Sequence, residues 1–194
     1  MRVDFSPPDI TDTECQEVLD ALQSGWITTG PRTKSLEKRV AERCGTTRAV
    51  CLNSATASLE LTLRVLGIGP GDEVIVPAYT YTASASPVVH VGATPVLVDA
   101  GEADGGYGLD PSVLAGAITP RTKAVIPVDI GGRMCDYAGL REVVDSRRHL
   151  FAASGPVQEA LGRIALVADG AHSFGARRDG TPSGGAADFT TFSF

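Results

Sequence analysis

Apolar residues recur along this chain in two rhythms, and the switches between them divide it into elements. The first stretch is helical in rhythm. Thr11 and Glu14 form a capping box ahead of "ECQEVLDALQS", residues 14–24. "KSLEKRVAERCG", residues 34–45, ends on Gly45, where a left-handed residue closes a helix. "GWITTGPRT" between them is a predicted loop. From residue 48 onward, short continuous apolar runs alternate with amphipathic ones. "RAVCLN", "DEVIVP", "TPVLVD", "KAVIPV", "IALVAD" and "DFTTFSF" predict strands. "TASLELTLRVLG", "YTASASPVVHVG" (despite its Pro87), a short segment opened by Asp110-Pro111, and "YAGLREVVDSRR" predict helices.

Apolar strands separated by helices require crossover connections. The fold class is therefore α/β, a three-layer αβα domain with a mostly parallel sheet covered on both faces. We place an N-terminal helical segment at residues 1–45 and the large domain at 46–194. "SRRHLFAASGPVQEALGR", residues 146–163, is longer than the usual helix-to-strand connection and polar, which predicts a surface excursion.

Composition narrows the partners. With 194 residues, 43% of them hydrophobic, the chain can bury the core of one domain. A net charge of −6, with no cluster of Lys or Arg, speaks against nucleic acid and anionic membranes. No apolar run approaches the roughly 20 residues that span a bilayer. The start "MRVDFSPPDI" lacks the basic and apolar regions of a signal peptide. Cys15, Cys44, Cys51 and Cys135 lie far apart without a C-x-x-C pair, as expected of buried or reduced thiols in a cytoplasmic protein with no metal site.

A parallel sheet binds its ligand beyond the carboxyl ends of its strands, so the residues there should make chemical sense together. After the first predicted strand, "NSATAS" offers Ser54, Ala55 and Thr56 at a helix start, a place for a phosphate or an ordinary N-cap. "PAYTYTA" puts Tyr79 and Tyr81 where an aromatic can stack on a heterocycle or fill the core. Asp129, Asp169, His172 and Ser193 stand at or after other strand ends. A phosphate cradle, an aromatic platform and a carboxylate suit pyridoxal phosphate. Its pyridine nitrogen must stay protonated to draw electrons, and a facing carboxylate favours that form. A phosphate alone leaves Asp169 unexplained, since an unpaired carboxylate ending a buried strand is costly.

"GWITTGP", "NSATASLELTL", "GDEVIVPAYTYTASASPVVHVGATPVLVD" and "DGAHSFGA…ADFTTFSF", in this order over nearly the whole chain, resemble the DegT/DnrJ/EryC1/StrS aminotransferases. The resemblance implies a fold-type I, pyridoxal-phosphate enzyme that passes an amino group, with glutamate the expected donor, to a nucleotide-linked keto-sugar or similar substrate. It implies that Ala55 and Thr56, with Ser54 close by, bind the cofactor phosphate. Tyr81 would stack on the ring, and Asp169 would face the pyridine nitrogen. His172 would lie near the phenolic oxygen, and Ser193 would bind phosphate. It also implies a homodimer, because such enzymes build their site between two subunits.

The family's Schiff-base lysine follows "SF" by a few residues, and the sequence stops at Phe194. Lys34 and Lys38 sit on one helix face, and Lys123 begins a strand at the wrong edge of the sheet. The expectation is an N-terminal part of a longer protein, truncated before that lysine and the small C-terminal domain, and unable to transaminate by itself. A lysine there marks an aminotransferase and a histidine a sugar dehydratase; neither would mark a non-catalytic, regulatory relative.

Overall fold

Five strands, all parallel, form the central sheet: β1 (Glu73–Pro77), β2 (Thr94–Val98), β3 (Thr122–Val125), β4 (Ala165–Asp169) and β7 (Phe189–Thr191), ordered β2-β1-β3-β4-β7. The computed structural model describes residues 8–101, 105 and 107–194. The period-2 pleat sorts the strand residues into two cores. Val74, Val76, Ala124, Ala165 and Val167 face one side, against Leu59 and Leu63 of α3 (Ala55–Val65) and Val88 of α4 (Ser86–His90). Ile75, Val125 and Leu166 face the other, against Leu114 of α5 (Pro111–Ala117) and Leu140 and Val144 of α6 (Tyr137–Ser146). β1 and β4 are buried along their whole length, which is why they read as unbroken apolar runs. The three-layer αβα expectation holds.

The two N-terminal helices form as expected. α1 (Asp12–Gln23) carries the Thr11–Glu14 capping box, and α2 (Pro31–Cys44) closes on Gly45 with φ 66°. α2 begins earlier than its apolar rhythm suggests, because Pro31 presets the first helical turn.

Four expectations are corrected. "RAVCLN" is not a strand: it joins no ladder, and Val50 and Leu52 are 71% and 43% exposed. Its Cys51 N–H donates instead to Glu37 Oε1 at 2.9 Å. An apolar run becomes a strand only where a neighbour accepts its hydrogen bonds. "YTASASPVVHVG" is not one helix but a 3₁₀ turn, Thr82–Ser84, followed by α4, since Pro87 cannot donate within a continuous helix and is placed in the first turn of a new one. "DFTTFSF" pairs only over Phe189–Thr191; β4 ends at Asp169, the register partner of Thr191, and the ladder ends with it. "KAVIPV" is a strand only over Lys123–Val125 of β3, which begins one residue earlier at Thr122, and beyond Val125 it makes only an isolated bridge, Val128 to Asp169. A hairpin of β5 (Arg177–Arg178) and β6 (Thr181–Pro182) also forms, turning on Asp179 and Gly180, both at positive φ.

The segment 146–163 runs through a 3₁₀ turn, Arg148–Leu150, and α7 (Pro156–Leu161), and it is anchored rather than loose. Gln158 is buried: its amide donates to Leu66 O at 2.8 Å, and its carbonyl accepts from Ser154 N–H at 3.0 Å. Lys123, buried at the amino end of β3, donates to Ala152 O and lies 5.5 Å from the Phe151 ring centre. Replacing Gln158 by Leu keeps the volume but strands both polar partners. A loss of about 1–3 kcal/mol in urea denaturation is the expected result.

All four cysteines are free; Cys44 and Cys135 are buried, Cys15 and Cys51 exposed. No helix among the described residues is long and apolar enough to cross a membrane.

Candidate functional site

α3 leads through a short turn into the amino end of β1, so its own start lies at the carboxyl ends of the strands. Ser54 caps that start, its hydroxyl accepting from Ala57 N–H at 3.1 Å. Ser58 N–H bonds Ser54 O, which leaves the N–H groups of Ala55 and Thr56 without an intrahelical acceptor. They are the donors a phosphate would use.

Asp169 ends β4 and is 7% exposed. Its Oδ2 accepts from the Ser84 hydroxyl at 2.7 Å and its Oδ1 from Ala171 N–H at 3.2 Å. Both donors are neutral, and among the described residues no Lys, Arg or His forms an ion pair with it. A buried carboxylate held in place yet lacking a cation is the donor set that a protonated heterocyclic nitrogen completes.

Ser84 lies in the 3₁₀ turn that Tyr81 opens, so the bond to Asp169 ties the Tyr81 loop to the end of β4. Tyr81 is 79% exposed, available as a platform and not consumed by the core. Tyr79 instead pairs with Tyr107, ring centres 5.5 Å apart.

His172 is exposed, and its Nδ1 accepts from Gly131 N–H at 3.3 Å. A neutral ring in that bond carries its proton on Nε2. Ser193 lies exposed beyond the last ladder pair, between Phe192 and Phe194, whose rings both meet Phe174 edge-on.

The structure thus brings Tyr81, Asp169 and His172 to one sheet edge through hydrogen bonds, and places Ser54, Ala55, Thr56 and Ser193 at that same edge by topology. Lys123 lies at the opposite edge, and Lys34 and Lys38 on α2.

A cavity of about 490 Å³ opens between the loops after β2 and β3, lined by Tyr107, Leu109, Ile130, Arg133, Asp136 and Arg178 among others. It adjoins the site through Ile130 but includes none of Tyr81, Asp169 and His172. Asp136 is occupied in capping α6, accepting from Gly139 N–H at 3.0 Å.

Sequence reasoning missed Ser84 and Gly131. Ser84 is 85 residues from its partner, and nothing local in "TASAS" distinguishes it from Ser86. Gly131 acts through its backbone, with φ at 61°; the Gly131-Gly132 pair was the available signal.

The family model "DegT/DnrJ/EryC1/StrS aminotransferase family" matches residues 8–194. GDP-perosamine synthase of Caulobacter vibrioides is 39% identical over 194 residues, all of this chain and 48% of that protein. The spore coat polysaccharide biosynthesis protein SpsC of Bacillus subtilis is 44% identical over 142 residues, 73% of this chain and 36% of that one. Among solved structures, Spr1654 of Streptococcus pneumoniae, assigned as a sugar aminotransferase, superposes in its PLP form with a TM-score of 0.96. Its identity is 55% over 100% of this chain and 49% of that chain. It has also been solved in a PMP form. The chain spans about half the length of GDP-perosamine synthase and of Spr1654, and about a third of SpsC.

Proposed function

Because the chain belongs to the DegT/DnrJ/EryC1/StrS aminotransferase family, whose fold-type I members use pyridoxal phosphate, we propose that it supplies the cofactor-binding part of a sugar aminotransferase. The observation that carries this reading is Asp169, a buried carboxylate with two neutral hydrogen-bond donors and no cationic partner among the described residues. Bound there, pyridoxal phosphate supplies an electron sink for bond breaking at the amine-bearing carbon. Asp169 holds a proton on the pyridine nitrogen, and Ser84 and Ala171 keep its oxygens aimed. The N–H groups of Ala55 and Thr56, with Ser54 and Ser193, receive the phosphate. Tyr81 covers the ring face and excludes water. His172 donates from Nε2 toward the phenolic oxygen, its tautomer set by Gly131.

The substrate of the whole protein is a nucleotide-linked keto-sugar and its amino donor glutamate. The nature of the relatives supports this: a perosamine synthase, a polysaccharide biosynthesis protein and an assigned sugar aminotransferase. Lys34, Lys38 and Lys123 stand away from the site, so none of these three lysines takes part in holding the cofactor. A homodimer is part of the proposal: α1 buries none of its residues, and Val18, Leu19 and Leu22 stand exposed on it.

Titrating the purified protein with pyridoxamine phosphate, followed by ligand fluorescence, tests the core of the reading. Saturable binding at one site per chain, competed by pyridoxal phosphate, is expected. No binding at millimolar ligand overturns it.

A further inference from the structure

Asp129 is the most buried carboxylate beside the site, 1% exposed, and the chemistry above gives it no part. Its oxygens accept from two separate segments. Oδ1 takes the Cys135 N–H at 3.0 Å and the Tyr137 hydroxyl at 2.8 Å; Oδ2 takes the Ser173 hydroxyl at 2.8 Å. Cys135 and Tyr137 stand at the start of α6, whose Tyr137, Leu140 and Val144 are packed in the core. Ser173 is the residue after His172 and also bonds Ser183 at 2.8 Å. One carboxylate therefore fastens the exposed His172 turn to a rigid helix.

The backbone around Asp129 points the same way. Its N–H donates to Asp169 O at 3.0 Å, and the Asp169 N–H returns a bond to Pro127 O at 2.8 Å. Two residues on, Gly131 at φ 61° and Gly132 at φ 82° fold the chain back against His172. There Gly131 N–H meets the imidazole, and a Cβ on Gly132 would stand 3.2 Å from His172 O. Burial pushes the Asp129 carboxyl up, and the three donors draw it back toward the ionised form.

We propose that Asp129 is the positioning residue of the site: through Ser173 it fixes where His172 presents its imidazole, and through its backbone it fixes where β4 delivers Asp169. This rests on the cofactor roles proposed for His172 and Asp169, but its geometry exists without ligand and can be tested without ligand. A side chain that merely filled space would need no bond to Ser173. A positioning residue must transmit its loss to the imidazole.

The experiment is NMR of the ¹⁵N-labelled, ligand-free protein, reading the coupling across the Gly131 N–H···Nδ1 His172 hydrogen bond and the His172 ring tautomer. His90 and His149 report whether the fold is intact. In the wild type the coupling is expected together with an Nε2–H tautomer. Asp129→Ala should abolish the coupling and average the His172 ring signals, with His90 and His149 unmoved. Asp129→Asn should retain the coupling, because an amide oxygen still serves Cys135 and Tyr137 and its NH₂ can donate to Ser173. Should Asp129→Ala fail to fold, Ser173→Ala decides, since it cuts the link toward His172, and with it the Ser183 bond, while the Cys135 and Tyr137 bonds to Asp129 stay in place. Loss of the coupling there supports the proposal, and wild-type coupling in a folded Ser173→Ala protein overturns it. Pyridoxamine phosphate titration of the same wild-type sample separates the two readings. Absent binding with the expected coupling sinks the cofactor assignment alone. Normal binding with unchanged coupling in the variants sinks Asp129 alone.

Discussion

Asp169→Asn should leave the protein folded and cost it most of its grip on the protonated cofactor. The amide is nearly isosteric and still accepts from Ser84, so the end of β4 keeps its shape. What disappears is the charge that makes a proton on the pyridine nitrogen favourable. A hydrogen bond to a charged group contributes about 1.5–3 kcal/mol, which corresponds to roughly 10- to 100-fold in affinity. Under the proposed function, turnover should fall further, by about 10²–10³, because the same charge would matter most when the ring draws electrons. Spectroscopic titration with pyridoxamine phosphate at neutral pH checks the first figure and a glutamate-dependent amination assay the second. Binding within about twofold of wild type would remove Asp169 from the site.

The second large effect lies outside the site. Asp188 precedes β7 and accepts from Arg163 Nη1 and Nη2 at 2.8 and 2.7 Å, from Arg141 Nη1 at 2.9 Å and from Leu166 N–H at 2.8 Å. The Asp188 and Arg163 side chains are 11% and 12% exposed, so the pair is largely desolvated. Truncation to Ala strands a guanidinium and a strand N–H, and breaking such a pair typically costs about 3–5 kcal/mol. At about 2–4 °C per kcal/mol for a chain of this size, Tm should drop by roughly 6–20 °C in calorimetry.

The acid limb carries a second signature of Asp188. Burial alone would raise its pKa, but Arg163, the Leu166 N–H and Arg141 together hold it below its ordinary value. A depressed carboxyl adds stability that is fully present above its unfolded pKa, about 3.9, and that fades as pH falls through the folded value. The deficit of Asp188→Ala relative to wild type should therefore narrow below about pH 4. A deficit that stays constant to pH 2 would show that packing, not charge, is what the residue contributes.

The sheet was legible where burial is total. β1 and β4 bury both faces and announce themselves as unbroken apolar runs, and Asp169 stands out because a carboxylate ends one of them. "RAVCLN" has the same local look and failed because strand formation depends on a neighbour that residues 48–53 cannot specify. Ser84, Asp188 and Gln158 were illegible for a related reason: each is defined by a partner 85, 22 to 47, or 92 residues away, and no local pattern encodes the meeting. The segment 146–163 looked like a surface excursion because it is polar, yet the buried Gln158 amide pins it to Leu66, the C-cap of α3. The Asp179-Gly180 hairpin carried a usable signal, since that dipeptide favours two successive positive φ angles.

The winding of the sheet has a geometric consequence. From β1 the chain steps outward to β2, then returns past β1 to lay down β3, β4 and β7 in the opposite direction. Neighbouring strands β1 and β3 consequently send their chains to opposite layers, one into α4 and the other into α6. Their departing loops part like two pages from a spine. The opening that such a reversal makes is set by the topology, and Tyr79–Ser84 after β1 and Asp129–Gly132 after β3 are the segments that follow it on either side. Either segment can be remodelled residue by residue to admit a different guest while the opening itself stays where the topology put it.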